Sequence, residues 1–245
     1  MTAEDPIWVR IGGGLELVPG GDRHGPADPN FPPPGEGWQM LTANGRLVGW
    51  GRESGKGVAR RAVEAGGRIE QDRRSHLLGR LGHKMRSSVL ALQESARQAA
   101  FGRQELLEQI YDQAQEVGRR AAALEAVALD PKDVARAVVI GAVLNLAAPG
   151  AARDLPPDAV VRAAESVLVE ALTRAYEWMG GAGTVIDGRS VDDWWRLELI
   201  ASANREPLPL PEVGEPLVRL LVDTHLQGWL DASQPGRAVI FLPKV

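Results

Sequence analysis

Leu81-Gly82-His83-Lys84-Met85-Arg86-Ser87-Ser88 indicates the architecture of this chain most clearly, because it sets a histidine into a long amphipathic helix. At 100° per residue, His83 lies about 160° from Met85, so we expect its imidazole to face solvent. A neutral, exposed imidazole on a rigid helix is a candidate nucleophile toward a phosphoryl group. The alternative is a surface histidine without a role. The apolar residues of this helix recur at steps of three and four and predict one buried stripe: Leu78, Leu81, Met85, Val89, Leu92 and Ala96.

A second amphipathic helix is predicted after a break at Phe101-Gly102, and it ends at Asp130-Pro131. Two such helices from one chain bury only part of their apolar surface, so the pattern predicts a second copy as the cover. The apolar positions of the second helix repeat every three or four residues, as in a coiled coil: Leu106, Ile110, Ala114, Val117, Ala121, Leu124 and Ala128.

The stretch from His83 to Val89 resembles the H-box of histidine kinases. The family pattern is His, an acidic residue, any residue, Arg, Ser or Thr, Pro or similar, and an apolar residue. In that family the helix and its successor form an antiparallel hairpin that dimerises into a four-helix bundle. The resemblance implies that His83 is the phosphoacceptor and that the protein is a homodimer.

The carboxy-terminal part is similar to the ATP-binding domain of the same family, in the same order. A helical stretch from 156 to 172 lies where the kinases have their N-box, 213–225 resembles the glycine-rich box and the next helix, and 236–243 resembles the last strand. The implied fold class is α+β: a dimeric four-helix-bundle hairpin, then a degenerate histidine-kinase-type α/β sandwich, with a small N-terminal β module.

The residues that hold the nucleotide in the family are not found at the matching positions. Ser166 and Glu170 stand where the family has two N-box asparagines, and 201–206 contains no aspartate with spaced glycines. In the phosphate loop only Gly214 remains, and Glu212 and Glu215 flank it, although close approach of backbone amides to phosphates needs glycine. We therefore expect no cofactor, neither ATP nor magnesium, while Glu170 is the one candidate metal ligand.

The H-box departs from the family as well, because Lys84 replaces the acidic residue that orients the histidine. A cation cannot act as a base at neutral pH, but it can attract the acyl phosphate of a response regulator. Arg86 could assist the phosphoryl oxygens. Leu90 lies about 20° from His83 on the helical wheel and could touch a docked partner. The alternative for Lys84 is a solvated helix face, and for Leu90 an ordinary exposed apolar residue.

Composition excludes several classes of function. The chain has 245 residues, a net charge of −4, no cysteine and four scattered histidines. These numbers argue against nucleic-acid or anionic-membrane binding, thiol chemistry and a zinc site. The longest apolar run, 138–148, is too short to cross a bilayer and no cationic leader precedes it, so we expect a cytoplasmic protein without membrane contact.

Three regions follow from the distribution of Gly, Pro and Asn. Residues 1–57 predict a small β-rich module, 58–130 the helical hairpin for dimerisation and phosphotransfer, and 131–245 the degenerate catalytic-like domain. The N-terminal strands could be a sensory module or a packing cap on the bundle. Asn44-Gly45 predicts a hairpin turn, and Gly12-Gly13-Gly14 a plain turn rather than a phosphate loop.

The sequence thus favours a two-component signalling protein that acts through His83, as a histidine phosphotransferase or as a pseudo-histidine-kinase scaffold. The expected partner is a response regulator or another kinase. One alternative is an active ATP-dependent sensor histidine kinase with divergent motifs. Another is a non-catalytic dimeric interaction protein in which His83 is inert.

Overall fold

The computed structural model describes residues 5–27, 30, 32–101, 104–128, 135–201 and 214–245. Its architecture is α+β, as predicted. The helices are α1 (Lys56–Ala100), α2 (Leu107–Ala128), α3 (Ile140–Ala147), α4 (Glu165–Trp178) and α5 (Gly214–Arg219), with a 3-10 turn at Gln104–Leu106 and a π-helical turn at Leu220–His225. The strands are β1 (Ile7–Ile11), β2 (Gly14–Val18), β3 (Arg23–His24), β4 (Gln39–Ala43), β5 (Arg46–Gly51), β6 (Arg136–Val139), β7 (Ala152–Asp154), β8 (Val160–Ala163), β9 (Val185–Val191), β10 (Trp194–Ile200), β11 (Trp229–Asp231) and β12 (Arg237–Pro243).

The N-terminal strands form one antiparallel sheet in the order β3-β2-β1-β5-β4. The predicted hairpin turn joins β4 to β5, with Asn44 and Gly45 both at positive φ. Alternation along the strands gives the sheet two buried faces. One face packs on the start of α1, where its partners are small: Ile7, Val9, Ile11 and Leu41 meet Ala59, Ala62 and Ala65.

Helices α1 and α2 pack against each other as a hairpin. With 45 residues, α1 is about 68 Å long. The predicted buried stripe is only partly correct, because Leu81 is fully buried while Leu78 is 38% exposed and Ala96 is exposed. The difference has a physical cause: Leu77 and Leu81 pack into the core of the C-terminal part, whereas Met85, Val89 and Leu92 are only half-buried among the described residues.

The C-terminal strands form a mixed five-stranded sheet in the order β11-β12-β10-β9-β7, in which β7 runs parallel to β9. A separate antiparallel pair joins β6 to β8. Apolar residues of α3, α4 and the sheet share one core with Leu77 and Leu81 of α1 and with Ala123 and Val127 of α2. The base of the hairpin is therefore fixed to the C-terminal part.

The turn between β1 and β2 docks the N-terminal sheet on the C-terminal part. The Gly13 amide donates to the Gly228 carbonyl at 2.9 Å. A Cβ on Gly12 would lie 1.5 Å from the carbonyl oxygen of Asp223, and one on Gly14 would enter the ring of Trp229. The predicted plain turn is thus a close contact that only glycine permits.

Across the described residues, no helix has the length and apolar character that a membrane span requires.

Candidate functional site

His83 lies near the middle of α1, and its side chain is exposed. This agrees with the helical-wheel prediction. The helix is continuous through the site, and the Ser87 hydroxyl donates to the His83 carbonyl oxygen at 3.2 Å, which adds a local contact to the backbone ladder. The imidazole therefore projects into solvent from a regular support.

The other predicted site residues of the H-box are exposed as well. Arg86 and Leu90 share the face of His83, since they follow it by three and seven residues, and Leu90 is 59% exposed. Lys84 is exposed but lies about 100° away around the helix. Three of the four predicted residues therefore form one surface, and Lys84 borders it.

Arg120 of α2, which was not among the predicted site residues, contacts α1 one turn after His83. The Arg120 guanidinium donates to the Ser88 hydroxyl and forms an ion pair with Glu116 at 2.7 Å. Arg120 is well buried, with 13% of its side chain exposed. This chain of contacts fixes α2 against α1 one turn beyond His83.

The N-box positions lie on α4. Ser166 is exposed, and the half-buried Glu170 accepts a hydrogen bond from Arg174 at 2.7 Å. Arg174 also pairs with Glu177 at 2.9 Å, so one guanidinium lies between two carboxylates of its own helix. The spacings of four and three residues between Glu170, Arg174 and Glu177 would predict these ion pairs on a helix. The family pattern considered Glu170 only as the replacement of an N-box asparagine.

Gly214 begins α5 and lies against α4. A Cβ at this position would be 2.7 Å from Cδ1 of Trp178, so the glycine is explained by helix packing. The neighbouring Glu215 pairs with Arg219 at 2.6 Å, and burial raises the pKa of Glu215. Glu212 and residues 202–206 lie outside the described residues. The predicted loss of the adenine-binding aspartate therefore stays a prediction.

A buried charge cluster, which the sequence patterns did not predict, joins all three parts of the chain. Asp223, 1% exposed, contacts Arg23 of β3 in an ion pair, and its Oδ1 accepts the Leu230 amide at 3.2 Å. Arg73 of α1 pairs with Glu16 of β2 and lies 4.0 Å from Asp223. Burial raises the pKa of Asp223 to about 7, while the charges of Arg219 and Arg73 oppose that rise.

Trp229 completes this contact. The guanidinium carbon of Arg23 lies 4.1 Å from the centroid of the Trp229 ring, and the ring packs against Gly14 and Gly25. The only hint of this cluster in the sequence is the Gly12-Gly13-Gly14 run, which makes room for the close approach of Trp229. Residues about 200 positions apart carry no shared periodicity, so the pairing itself could not be predicted.

Within the described residues, no group of three or more His, Asp or Glu side chains is placed so that it could hold a metal ion.

Comparisons with known proteins address the fold. No protein-family model matches the sequence, and no curated protein matches it. Among solved structures, the histidine kinase ThkA, in complex with the response regulator protein TrrA, matches at 13% identity and a TM-score of 0.55, over 99% of this chain and 80% of that chain. The histidine kinase AdeS of Acinetobacter baumannii matches at 16% identity and a TM-score of 0.48, over 66% of this chain and 97% of that chain. The match to ThkA confirms the predicted resemblance to histidine kinases at the level of the fold.

Proposed function

We propose that this chain, whose fold is histidine kinase-like, acts in two-component signalling and that His83 exchanges a phosphoryl group with an aspartate of a response regulator. The observation that carries this is the exposed His83 beside the exposed Leu90 on one face of α1. The ThkA structure supports the class of partner, because it contains a histidine kinase together with a response regulator protein.

The proposed reaction needs one protein nucleophile and a donor that is already activated. The imidazole nitrogen without a proton attacks the phosphorus of the aspartyl phosphate. A P–N bond forms, the P–O bond to the aspartate breaks, and the carboxylate leaves with the electron pair. The reverse reaction returns the phosphoryl group to the regulator. Positioning and stabilisation of charge account for most of the rate in such transfers.

The cations near His83 are assigned to charge stabilisation. Arg86 lies on the same face and can bind phosphoryl oxygens with its planar fork of donors. Lys84, at the border of that face, adds positive charge without a fixed geometry. Leu90 is proposed as the apolar contact with the docked regulator. A surface of this kind, one apolar residue with flanking cations, suits an acidic active site on the partner.

We assign no ATP or magnesium to this role. Glu170 is engaged by Arg174, and Trp178 occupies the space beside Gly214. These contacts favour the phosphotransferase or pseudo-kinase scaffold over an active ATP-dependent kinase. A calorimetric titration with ATP and Mg²⁺ separates the two: submillimolar affinity would restore the active kinase and make Glu170 the suspected metal ligand.

The decisive experiment is transfer of radiolabelled phosphate from a panel of phosphorylated response regulators. We expect label on the unmodified protein and none on His83→Gln. His76→Gln is the matched control, because His76 is also exposed and lies two turns earlier on the same face of α1. It should be labelled like the unmodified protein.

Other outcomes of this experiment have definite meanings. Equal label on His83→Gln would overturn the assignment of His83. No label on the unmodified protein, combined with co-purification of a regulator that Leu90→Glu abolishes, would leave only the scaffold. With neither transfer nor binding, the non-catalytic dimeric interaction protein remains.

A further inference from the structure

An open cavity of about 770 Å³, a groove rather than an enclosed chamber, lies where the N-terminal sheet, α1 and the C-terminal part meet. Its lining includes Arg10 of β1, Arg46 and Leu47 of β5, Val63 of α1 and Gln227 of the C-terminal part. This volume falls within the range of sites that bind small molecules. Because all three parts contribute, an occupant would contact each of them.

The cavity carries two positive charges that no acid of the described residues pairs with. Among the described residues that line it there is no Asp or Glu, and neither Arg10 nor Arg46 forms an ion pair within the described part of the chain. Arg10 is half-buried, and both burial and the charge of Arg46 lower its pKa. Two guanidinium groups that repel each other, with Arg10 partly desolvated, are stabilised by a bound anion.

The donors that remain free point to an oxyanion. Arg10 uses Nε for the Gly12 carbonyl at 2.8 Å and Nη1 for the Leu47 carbonyl at 3.4 Å, so Nη2 is left for a ligand. Arg46 is exposed and follows the rigid Asn44-Gly45 turn, where both residues are at positive φ. Its guanidinium fork matches a carboxylate or a phosphate in two parallel hydrogen bonds.

One part of the wall is apolar, beside the polar Asn44 and Gln227. Val63 is 50% exposed although it lies on α1 beside the sheet, and Leu47 and Val48 also line the cavity. An inorganic ion would leave this wall in contact with water. An anion with a hydrocarbon body would cover it, and the burial of that apolar surface would favour such an occupant.

A second cavity, of about 480 Å³ beside Trp229, provides the contrast. It also has two arginines, Arg23 and Arg219, but these pair with Asp223 and Glu215, and Asp231 lines the same cavity. Its positive charges are therefore already matched, so it does not select an anion in the same way.

We propose that the cavity between Arg10, Arg46 and Val63 binds a small organic oxyanion, a carboxylate or phosphate head on an apolar body. This goes beyond the role of His83 and does not depend on it. Gln227 precedes Gly228, whose carbonyl accepts the Gly13 amide, so the site adjoins the contact between the N-terminal sheet and the C-terminal part. A ligand that touches both sides stabilises that contact by mass action.

Calorimetry and thermal unfolding of the full chain test this with four probes: hexanoate, hexyl phosphate, hexanol and inorganic phosphate. We expect hexanoate or hexyl phosphate to bind and to raise the unfolding midpoint, and hexanol and inorganic phosphate to bind at least about tenfold more weakly. Which of the two alkyl anions binds more tightly identifies the head group. Equal binding of inorganic phosphate, or no binding of any probe at 10 mM (about the weakest affinity that such a site would have), overturns the proposal.

Variants locate the site. Arg46→Gln should weaken alkyl-anion binding at least about tenfold, because a charge-assisted hydrogen-bond donor is removed. Arg52→Gln is the matched control, since Arg52 belongs to the same N-terminal part and stacks on Trp38 outside the cavity. Val63→Asn should weaken the alkyl probes and leave the weak binding of inorganic phosphate unchanged. Unaltered affinity in both Arg46→Gln and Val63→Asn would contradict the assignment.

Discussion

Asp223 is the residue whose titration is most closely tied to the structure. Burial raises its pKa from 3.8 to about 7, so the folded protein binds this proton more tightly than the unfolded chain. The contribution of this group to the free energy of unfolding is therefore fully present below about pH 4 and is lost as the pH rises to about 7. We expect the difference in unfolding free energy between the unmodified protein and Asp223→Asn to fall over that range.

Chemical denaturation at steps from about pH 4 to about pH 8 measures this difference. Because Asn has nearly the shape of Asp, the titration of all other groups is shared by the two proteins and cancels in the difference. A difference that grows with pH would show that the ion pair with Arg23 keeps the carboxylate charged. Desolvation of a buried pair commonly outweighs its Coulomb attraction, which is why we expect the fall.

Single residues were predictable from sequence where a local rule governs them. The exposure of His83 follows from helical periodicity alone, and the structure agrees. The ion pair of Glu170 was not predicted, because the family pattern marked this residue as the replacement of an asparagine and as a candidate metal ligand, while its partner is Arg174, one turn away. Asp223 was missed because its partners come from strands about 200 residues earlier.

At the scale of elements, the turn from β1 to β2 is expected to control docking of the N-terminal sheet. Gly12→Ala places a methyl group 1.5 Å from the Asp223 carbonyl oxygen, so the turn must withdraw from the C-terminal part. Amides at the contact, notably Gly13 and Leu230, should then exchange hydrogen faster than in the unmodified protein.

Gly45→Ala is the control for the docking experiment. Gly45 has φ +74 and Gly12 has φ +60, but a Cβ on Gly45 meets nothing within 4 Å. It should cost about 1 kcal/mol through backbone strain and leave exchange at Gly13 and Leu230 unchanged. Equal exchange in the two variants would mean that strain, not the contact, causes the effect. Short runs bounded by Gly, Pro and Asn predicted the strands, and Asn44-Gly45 predicted the hairpin turn, but no local pattern specifies which turn meets which distant surface.

At the scale of the whole molecule, the described residues cover the apolar surface of the hairpin only in part along much of its length. Most apolar positions of α2 that predicted a seam are only half-buried in the single chain, including Leu106, Ile110 and Val117. Nearby, Leu107 is 60% and Tyr111 is 64% exposed. Exposed apolar side chains next to a half-buried seam are expected of an association surface, which is consistent with the predicted homodimer.

The prediction is that Leu107→Glu with Tyr111→Glu dissociates this homodimer while the chain stays folded. Burying each of these side chains contributes about 1.5–3 kcal/mol, so dimer affinity should fall at least about a hundredfold. Leu146→Glu is the matched control, because Leu146 is 70% exposed on α3, away from the hairpin. Leu81 is unsuitable for this test, since it is fully buried in the C-terminal core and its replacement would unfold the chain. Light scattering with circular dichroism decides the matter: a monomeric unmodified protein at micromolar concentration would contradict the homodimer.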